Sequence, residues 1–427
     1  MEIHVVQPGE SLYTIAQQYG TTPARLLQDN ELTDPNNLVI GQTIVVLYPA
    51  EVVTVVAGDT LSSIAERYGV TVNQLLRNNP QLRGLPEVVP GQVLTIRYEQ
   101  EKLGEMSVNG YAYPYIDRGV LRQTLPYLTY LTLFTYGITP EGGLIGIDDE
   151  EVIAIAREYG VAPLMLVSTL TEEGTFSNEL ASRVVNDSAV QERLIDEILS
   201  TLSAKGYYGL DVDFEYIYPQ DRDAYTAFIR NVTERLNAQG YPVVTALAPK
   251  TSADQPGLLY GGHDYAGIGE AANFVLLMTY EWGYTYGPPM AVSPINKVRE
   301  VLDYAVTVIE PGKIFMGVPN YGYNWTLPFV QGTSQAQALS NVAAVELARE
   351  VNAAIQFDEV AQAPFFTYTD EQGRQHEVWF EDARSIRSKL ALVPEYGMRG
   401  ASYWTVMRWF PQNWLVLNSL YNIRRVM

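Results

Sequence analysis

From Gly104 to the C-terminus, short apolar segments alternate with amphipathic segments that keep helical spacing. This alternation constrains the fold strongly, because strands that alternate with helices form parallel sheets. Eight strands in roughly 320 residues predict an α/β fold, a closed (β/α)8 TIM barrel over residues 104–427 rather than an open sheet. The predicted strands are Met106–Tyr113, Tyr130–Tyr136, Ala162–Ser168, Tyr207–Phe214, Pro242–Ala248, Phe274–Tyr280, Lys313–Pro319 and Gly400–Trp404. The predicted helices include Asp148–Tyr159, Asp187–Ser203, Gln220–Asn237 and Ser293–Ile309.

The segment between the seventh and eighth predicted strands is too long for a single connection in a barrel. It contains one helical pattern, Ala338–Ala354, followed by two strand-like pieces, Phe365–Thr369 and Val378–Phe380. The residues between these pieces, Asp370–Gly373, are typical of a turn. We therefore expect an inserted α+β subdomain at residues 326–398, which would form one wall of a cleft.

Three acidic residues, Asp211, Asp213 and Glu215, alternate along the fourth predicted strand. Side chains two residues apart point to the same face of a strand, so these carboxyl groups are expected to lie together. Their neighbours are apolar or aromatic, which indicates burial and disfavours the alternative of a surface strand with solvated acids. Crowded carboxyl groups raise one another's pKa, which can keep one acid protonated near neutral pH. The strand therefore predicts an acidic active site.

The N-terminal part of the chain contains two copies of one pattern. Each copy predicts a strand, two helices and a closing strand, with Ser11 and Thr60 at the positions of helix caps. Two copies are too few for a solenoid, so small independent modules at residues 1–48 and 51–98 are predicted. The first copy contains Gly9, Leu12, Ile15, Ala16, Tyr19, Gly20, Leu26, Leu27, Asn30 and Gly41, which recur in the second as Gly58, Leu61, Ile64, Ala65, Tyr68, Gly69, Leu75, Leu76, Asn79 and Gly91.

The repeat resembles the LysM module, a βααβ fold that binds glycans containing N-acetylglucosamine. The resemblance is carried by Gly58-Asp59-Thr60-Leu61, Ile64-Ala65, Tyr68-Gly69, Asn78-Asn79-Pro80 and Pro90-Gly91-Gln92. It implies glycan contacts from the loop after the first strand and the loop before the last strand. In the second module these are Gly58, Asp59, Thr60 and Leu61, together with residues 81–85. Their equivalents in the first module are residues 9–12 and 32–36.

The chain from about Met106 onward resembles glycoside hydrolase family 18. Gly209-Leu210-Asp211-Val212-Asp213-Phe214-Glu215 is similar to the family's fourth-strand motif D-x-x-D-x-D-x-E, with Tyr208 in place of the first Asp. Met278-Thr279-Tyr280-Glu281 is similar to Met-x-Tyr-Asp, with Glu281 in the Asp position. Gly317-Val318-Pro319-Asn320-Tyr321-Gly322 is similar to Gly-x-Pro-x-Tyr-Gly, and Trp404 occupies the place of the eighth-strand tryptophan.

The resemblance implies a substrate-assisted mechanism, in which the acetamido oxygen of the substrate attacks the anomeric carbon. Glu215 would be the general acid and then the base, and Asp213 would orient the acetamide with Asp211 behind it. Tyr280 would hold the acetamide oxygen. The substrate-binding residues implied are Trp404, Met278, Glu281 and Tyr321.

Composition restricts the partners. With 49 acidic and 28 basic residues the net charge is −21, so a nucleic-acid partner is not expected. The chain has no cysteine and three dispersed histidines, so neither a metal site nor a cofactor is expected. No apolar run is long enough for membrane insertion, and no signal peptide is visible at the N-terminus.

Two modules before such a barrel resemble the spore germination enzymes of endospore-forming bacteria, which act on cortex peptidoglycan as N-acetylglucosaminidases. The resemblance implies a location in the spore coat, the cortex or the cell wall. A chitinase is the alternative enzyme, because chitin also contains N-acetylglucosamine. A non-catalytic glycan-binding coat protein is the alternative from another class. Removal of residues 1–100 is expected to leave a folded barrel that adheres poorly to insoluble walls.

Overall fold

The computed structural model describes residues 1–171 and 174–427. Eight parallel strands, β1–β8, pair with one another in chain order, and β8 pairs with β1 to close a barrel. The predicted TIM barrel is therefore confirmed. The strands are Gly104–Ala112 (β1), Tyr130–Ile138 (β2), Ala162–Ser168 (β3), Gly209–Asp213 (β4), Val243–Leu247 (β5), Phe274–Leu277 (β6), Ile314–Pro319 (β7) and Gly400–Trp404 (β8).

Helices surround the barrel and pack their apolar faces on the outer side of its strands. They are Arg118–Thr124, Glu150–Glu158, Asn178–Asn186, Ser188–Lys205, Arg222–Asn237, Tyr265–Ala271, Ile295–Val308, Ala383–Glu395 and Pro411–Leu420. Two short strands extend the sheet: Leu144–Ile145 pairs with the end of β2, and Tyr421–Ile423 pairs with the start of β1. No helix within the described ranges is long and apolar enough to cross a membrane.

The interior of the barrel is filled from its N-terminal end by aromatic rings. Phe315 on β7 makes edge contacts with Tyr130 on β2 and Phe274 on β6, at ring-centroid distances of 6.0 and 6.1 Å. Tyr208, which stands where the family motif has its first Asp, packs on Tyr130 at 6.0 Å. A barrel of eight strands needs large inward side chains to fill it. Because this end is filled, the cleft lies at the opposite, C-terminal end.

An α+β insertion follows β7, as the sequence predicts. Its antiparallel sheet has five strands, and the helix Asn341–Glu350 packs with it. The first strand begins at Gly322, directly after β7 and before the boundary expected at residue 326. In sheet order the strands are Gln337–Leu339, Gly322–Thr326, Gln375–Trp379, Ala363–Thr369 and Gln356–Asp358.

The two N-terminal repeats form the predicted βααβ modules. In the first, Glu2–Val5 pairs with Thr43–Val46, and in the second, Pro49–Thr54 pairs with Val93–Tyr98. Ser11 and Thr60 cap the first helix of each module, and each side chain accepts a hydrogen bond from the backbone three residues ahead. The helices are Leu12–Gln18 and Pro23–Asn30 in the first module and Leu61–Tyr68 and Val72–Asn78 in the second.

The modules are not independent of the barrel, which corrects the expectation drawn from the repeat. Val45 and Leu47 are buried in the main core of the barrel domain. The side chain of Arg77 is buried as well, and donates to the carbonyl of Pro126 at 2.9 Å and to Asn418 at 3.2 Å. The strand Thr43–Val46 is buried on both faces, because its own helices cover one face and the barrel domain covers the other.

Candidate active site

The three alternating acids, two on β4 and one just after it, lie at the C-terminal end of the barrel. Asp211 and Asp213 are buried within the strand, and Glu215 lies two residues beyond its end and is half-buried. The strand is shorter than predicted and ends at Asp213, so Glu215 belongs to the loop that follows. Its neighbour Tyr216 has a φ of 56°, a left-handed conformation that non-glycine residues rarely adopt. The backbone therefore leaves the strand at the position where the sequence predicts the acid.

Asp211 is the deepest of the three acids and is fully buried. The hydroxyl of Tyr111 on β1 donates to its Oδ2 at 2.6 Å. Burial raises the pKa of Asp211 to about 7, and the Tyr111 hydrogen bond opposes this shift. Tyr111 was not among the residues expected from the sequence, since a tyrosine on a buried strand is indistinguishable from a packing residue.

Asp213 lies between the other two acids along the strand. Burial raises the pKa of its carboxyl well above the usual range, and the charges of Glu215 and Asp211 add to this effect. Its Oδ1 atom is buried and has no hydrogen-bond partner among the described residues. A buried acceptor without a partner is costly, so this atom is available to a donor on a bound molecule.

Glu215 and Glu281 lie in the same cleft. The pKa of Glu215 is raised to about 7, first by burial and then by the charge of Glu281. Glu281 is held by the hydroxyl groups of Tyr321 and Tyr323, both of which donate to its Oε1. Burial raises the pKa of Glu281, and these two hydrogen bonds oppose the rise. Glu281 has a φ of 66°, so it shares with Tyr216 a left-handed backbone at the edge of the cleft.

A cavity of about 360 Å³ opens above the acids. Trp404 at the end of β8 packs against Tyr111 and Phe134, at ring-centroid distances of 5.6 and 5.1 Å. Its half-buried side chain lines the cavity together with Met278. The remaining predicted residues in this cavity are Asp213, Glu215, Tyr280 and Glu281.

The cavity continues into a groove on each side. One groove, of about 430 Å³, shares Glu215, Met278, Tyr280 and Glu281 with the central cavity and adds aromatic side chains. The other, of about 640 Å³, shares Tyr113, Phe134 and Leu170 with it. Flat rings along an acidic cleft are suited to sugar faces. Sequence reasoning did not single out these flanking aromatic residues, which are Tyr216, Tyr260, Trp282 and Tyr284 on one side and Tyr113 and Tyr115 on the other.

The remaining predicted site residues lie in two parts of the molecule: Tyr321 is at the cleft, and the LysM residues are in the second module. Tyr321 contacts the carboxylate of Glu281. In the second module, Asp59 pairs with Arg67 and Thr60 caps a helix, whereas Gly58 has a φ of 90° in the turn before them. The side chain of Leu61 is 1% exposed in the core of the module, so it cannot offer a surface to a glycan, contrary to expectation. The loop implied to contact glycan ends at Leu61, which is the first residue of the helix Leu61–Tyr68, and its place in the helix directs the side chain inward.

Within residues 1–171 and 174–427, no group of three or more histidine, aspartate or glutamate side chains has the arrangement of a metal site. The cleft contains two carboxyl groups with strongly raised pKa values, those of Asp213 and Glu215, and the buried hydroxyl group of Tyr280. Burial and the neighbouring charges of Asp213 and Glu215 raise the pKa of Tyr280 well above its usual range, so it remains a hydrogen-bond donor.

Comparison with known proteins places this geometry in a family. The model of glycosyl hydrolases family 18 matches residues 172–408, and that of the LysM domain matches residues 4–47 and 53–97. The cortical fragment-lytic enzyme of Bacillus subtilis is 43% identical over 433 residues, which cover 99% of each chain.

Solved structures agree with this assignment. The spore cortex-lytic enzyme SleL of Bacillus megaterium is 40% identical with a TM-score of 0.85, and the match covers 100% of this chain and 99% of that one. A chitinase from Chromobacterium violaceum shares the fold, with a TM-score of 0.69 over 74% of this chain and 24% identity. This chain belongs to glycosyl hydrolases family 18, as a glycosidase whose barrel follows two LysM domains.

Proposed function

We propose that this chain hydrolyses linkages of N-acetylglucosamine in spore cortex peptidoglycan, with retention of configuration at the anomeric carbon. The cortical fragment-lytic enzyme of Bacillus subtilis and the spore cortex-lytic enzyme of Bacillus megaterium align with nearly the whole chain, including both modules. This full-length similarity favours cortex fragments as the substrate. The acidic cleft favours cleavage of a glycosidic bond.

The single observation that carries the mechanism is that Asp213, whose buried Oδ1 has no hydrogen-bond partner among the described residues, lines the same cavity as Tyr280 and Glu215. An acetamido N–H of the substrate would satisfy Asp213, and the hydroxyl of Tyr280 would donate to the acetamide oxygen. This oxygen would then be held for attack on the anomeric carbon. Such positioning can replace several kcal/mol of the barrier.

The protonation state of Glu215 agrees with this assignment. Glu215, with a pKa of about 7, is protonated often enough near neutral pH to donate its proton to the leaving glycosidic oxygen. The glycosidic C–O bond breaks as the acetamide oxygen bonds to the anomeric carbon, which gives an oxazolinium ion. Glu215, now a carboxylate, takes a proton from a water molecule that attacks the same carbon and opens the ring. Water enters from the face that the leaving group vacated, so the configuration is retained.

The other residues support this reaction without covalent roles. Asp211, which accepts a hydrogen bond from Tyr111, lies behind Asp213 and would tune the charge of Asp213. Trp404 would form the floor under the sugar, with Met278 beside it. Glu281 would contact the substrate near the cleaved bond, and Tyr321 would position Glu281.

The two alternatives make different demands on the cleft. A chitinase would use the same residues, and the shared fold of a bacterial chitinase is its main support. A non-catalytic glycan-binding protein would not require an acid with a raised pKa, yet Glu215 is present with such a pKa. The cortex glycosidase is preferred over the chitinase because the cortex-lytic enzymes align with nearly the whole chain at 40–43% identity, whereas the chitinase aligns with 74% of it at 24%. It is preferred over the binding protein because of Glu215.

The modules would hold the enzyme on its polymer. We propose the boundaries 1–48 and 49–98 for the modules and 104–427 for the barrel, with 322–379 as the insertion, because the second module's first strand begins at Pro49 and the insertion sheet runs from Gly322 to Trp379. In this arrangement Gly58, Asp59 and Thr60 remain candidates for glycan contact, because the turn they form is at the surface of the second module. The enzyme would be located in the cortex or at the cell wall. Chitin-like glycans with N-acetylglucosamine are expected to bind the same cleft.

The test is digestion of purified cortex fragments, with mass spectrometry of the new reducing ends and NMR of the fresh product. N-acetylglucosamine at the reducing end and an initial β-anomer are expected. Chitin oligomers digested in parallel serve as the comparison that separates the two enzyme classes. An initial α-anomer, or turnover of an analogue with a 2-hydroxyl in place of the acetamide, would rule out the acetamide as nucleophile.

A further inference from the structure

His263 is a fully buried histidine that the proposed reaction does not use. It lies at the end of the loop that joins β5 to the helix Tyr265–Ala271. Because its side chain is buried, it does not contact a bound substrate. The ring nevertheless reaches the segment that carries the acid, since its Nε2 lies 3.0 Å from the carbonyl oxygen of Phe214, the residue directly before Glu215.

The two partners of the imidazole ring determine which nitrogen carries the proton. Nδ1 lies 2.9 Å from the backbone nitrogen of Ala248, which can only donate, so Nδ1 is the acceptor. The proton of the neutral ring is therefore on Nε2, which donates to the carbonyl of Phe214. Burial lowers the pKa of His263 to about 4, and the charge of Lys250 adds to this effect, while the Phe214 hydrogen bond opposes it. The ring is therefore neutral near neutral pH.

The hydrogen bond from His263 holds a carbonyl group that lies beyond the end of the strand. β4 ends at Asp213, which pairs with the last residue of β3. A peptide unit is planar, so the carbonyl of Phe214 and the N–H of Glu215 turn together. A bond to this carbonyl therefore determines the direction in which the chain enters Glu215. On the other side of the acid, the left-handed backbone of Tyr216 persists only where neighbouring structure holds it.

The loop that carries His263 is itself held at both ends. The hydroxyl of Tyr265 donates to the carbonyl of Ala248 at 2.5 Å and accepts from the backbone N–H of Lys250 at 2.9 Å. The buried ammonium group of Lys250 donates to the carbonyl of His263 at 2.8 Å. The imidazole thus projects from a well-supported backbone, so its hydrogen bond can hold the Phe214 carbonyl in one position.

The same loop packs closely on the segment that follows Glu215. A Cβ on Gly262 would lie 2.3 Å from Cβ of Ile217, and a Cβ on Gly261 would lie 2.8 Å from Cγ of Pro219. Glycine at both positions permits this close approach. The loop after β5 therefore supports the backbone both before and after the acid.

We propose that His263 is a positioning residue for the general acid, which it holds toward the leaving glycosidic oxygen through the carbonyl of Phe214. The inference rests on the proposed function, because it takes Glu215 as the acid. Displacing a catalytic group by about 1 Å can cost on the order of 100-fold in rate. The alternative is a purely structural histidine, whose loss would lower stability but leave the folded enzyme fully active.

The matched pair His263→Gln and His263→Met tests this role in the full chain. Glutamine can place an amide N–H near the position of Nε2, whereas methionine has a similar length and no donor. Each variant is assayed on purified cortex fragments, whose leaving group is a sugar hydroxyl, and on 4-nitrophenyl N,N′-diacetylchitobioside, whose nitrophenolate departs without a proton. The rate constant kcat/KM is compared because it reports the reaction up to departure of the leaving group. His4→Met, a change at a buried histidine of the first module, is the control.

His263→Met is expected to lower kcat/KM on cortex fragments at least about tenfold, because the acid is displaced. On the nitrophenyl glycoside the loss should be about twofold or less, because a good leaving group needs little acid assistance. His263→Gln should recover most of the loss on cortex fragments, and His4→Met should leave both rates unchanged. Equal losses on the two substrates, equal losses in the two His263 variants, or full activity of His263→Met would overturn the proposal.

The hydrogen bond is also measured without turnover, by 15N NMR of the unsubstituted chain labelled at its three histidines. The signal of His263 is identified by its absence in His263→Gln. It should report a neutral ring protonated at Nε2 from about pH 6 to 8. A proton on Nδ1, or a charged ring in that range, would overturn the proposal. An unsubstituted enzyme that cleaves neither substrate would instead contradict the proposed function, so the two failures are distinguished.

Discussion

At the level of single residues, the chemistry depends on the different surroundings of three carboxyl groups in one buried cleft. Asp211 and Asp213 each have one buried oxygen without a partner among the described residues, but only Asp211 also accepts a hydrogen bond from a tyrosine hydroxyl, at its other oxygen. Glu215 is near the carboxyl group of Glu281. All three pKa values are raised, with burial as the largest cause. Environments that differ this much allow identical functional groups to take different roles.

The change Glu215→Gln is expected to lower turnover of cortex fragments at least about 100-fold, because general acid catalysis contributes at least that factor. Binding of the intact fragment should remain, since the amide is nearly the same size as the acid. Release of reducing ends measures the first effect, and calorimetric titration measures the second. Glu300→Gln, a surface change, is the control. Activity within tenfold of the unsubstituted enzyme would contradict the assignment.

A change at Glu281 should appear in the pH profile. The charge of Glu281 adds to burial in raising the pKa of Glu215, so Glu281→Gln is expected to lower that pKa. The acid must be protonated to act, and activity is therefore lost as the pH rises through that pKa. The alkaline limb of kcat/KM should move to lower pH, while the carbonyl oxygen of the introduced amide can still accept from Tyr321. An alkaline limb that does not move would show that Glu281 does not act on Glu215.

At the scale of elements, the repeated modules differ in what surrounds them. Gly41 and Gly91 are equivalent in the two copies, and both have positive φ, 83° and 89°. A Cβ on Gly41 would overlap the backbone carbonyl of Ile355 in the insertion, whereas a Cβ on Gly91 would meet open space. The repeat thus retains glycine for its own turn, and in the first module also for close approach to the barrel domain.

Gly41→Ala and Gly91→Ala form a matched pair that separates these two effects. Both carry the cost of a side chain at positive φ, about 1 kcal/mol. Only Gly41→Ala should also disturb the contact with Ile355, which adds about 1–3 kcal/mol of the kind seen on overpacking. Urea unfolding of the full chain measures the difference. Equal losses in the two variants would mean that the docking contact contributes nothing to stability.

At the scale of the whole molecule, the modules and the barrel share one core. Trp414, on the last helix of the barrel, is 1% exposed, and Gln412 on the same helix donates to the carbonyl of Thr43 at 2.5 Å. The chain should therefore unfold as a larger cooperative unit than a barrel with two freely attached modules.

Removal of residues 1–100 tests this shared core, and the expectation differs from that drawn from the repeat alone. The truncated barrel should have a lower Tm than the full chain and a tendency to aggregate, because it exposes apolar surface that Val45 and Leu47 cover. Differential scanning calorimetry of both chains measures the change, and soluble-fragment turnover monitors the cleft. An unchanged Tm would show that the modules dock only loosely.

The barrel, the βααβ modules and the alternating acids at β4 could be predicted from the sequence alone. These features are local patterns: the spacing of apolar residues and the alternation of acids follow directly from strand and helix geometry. The exact start of the insertion was harder to predict. The strand that begins at Gly322 follows β7 almost directly, so nothing in the spacing separates it from the barrel.

Which distant side chains meet depends on the tertiary structure. Tyr111 and Asp211 are 100 residues apart in the chain, yet they form a hydrogen bond. They meet because both side chains point from their strands, β1 and β4, into the interior of one closed barrel. The docking of the modules arises in the same way, from contacts between surfaces that are distant in the chain. A run such as Ile44 to Leu47 shows that both faces of a strand are apolar, but it does not show which surface will cover the second face. That depends on the complementary shape of another part of the fold.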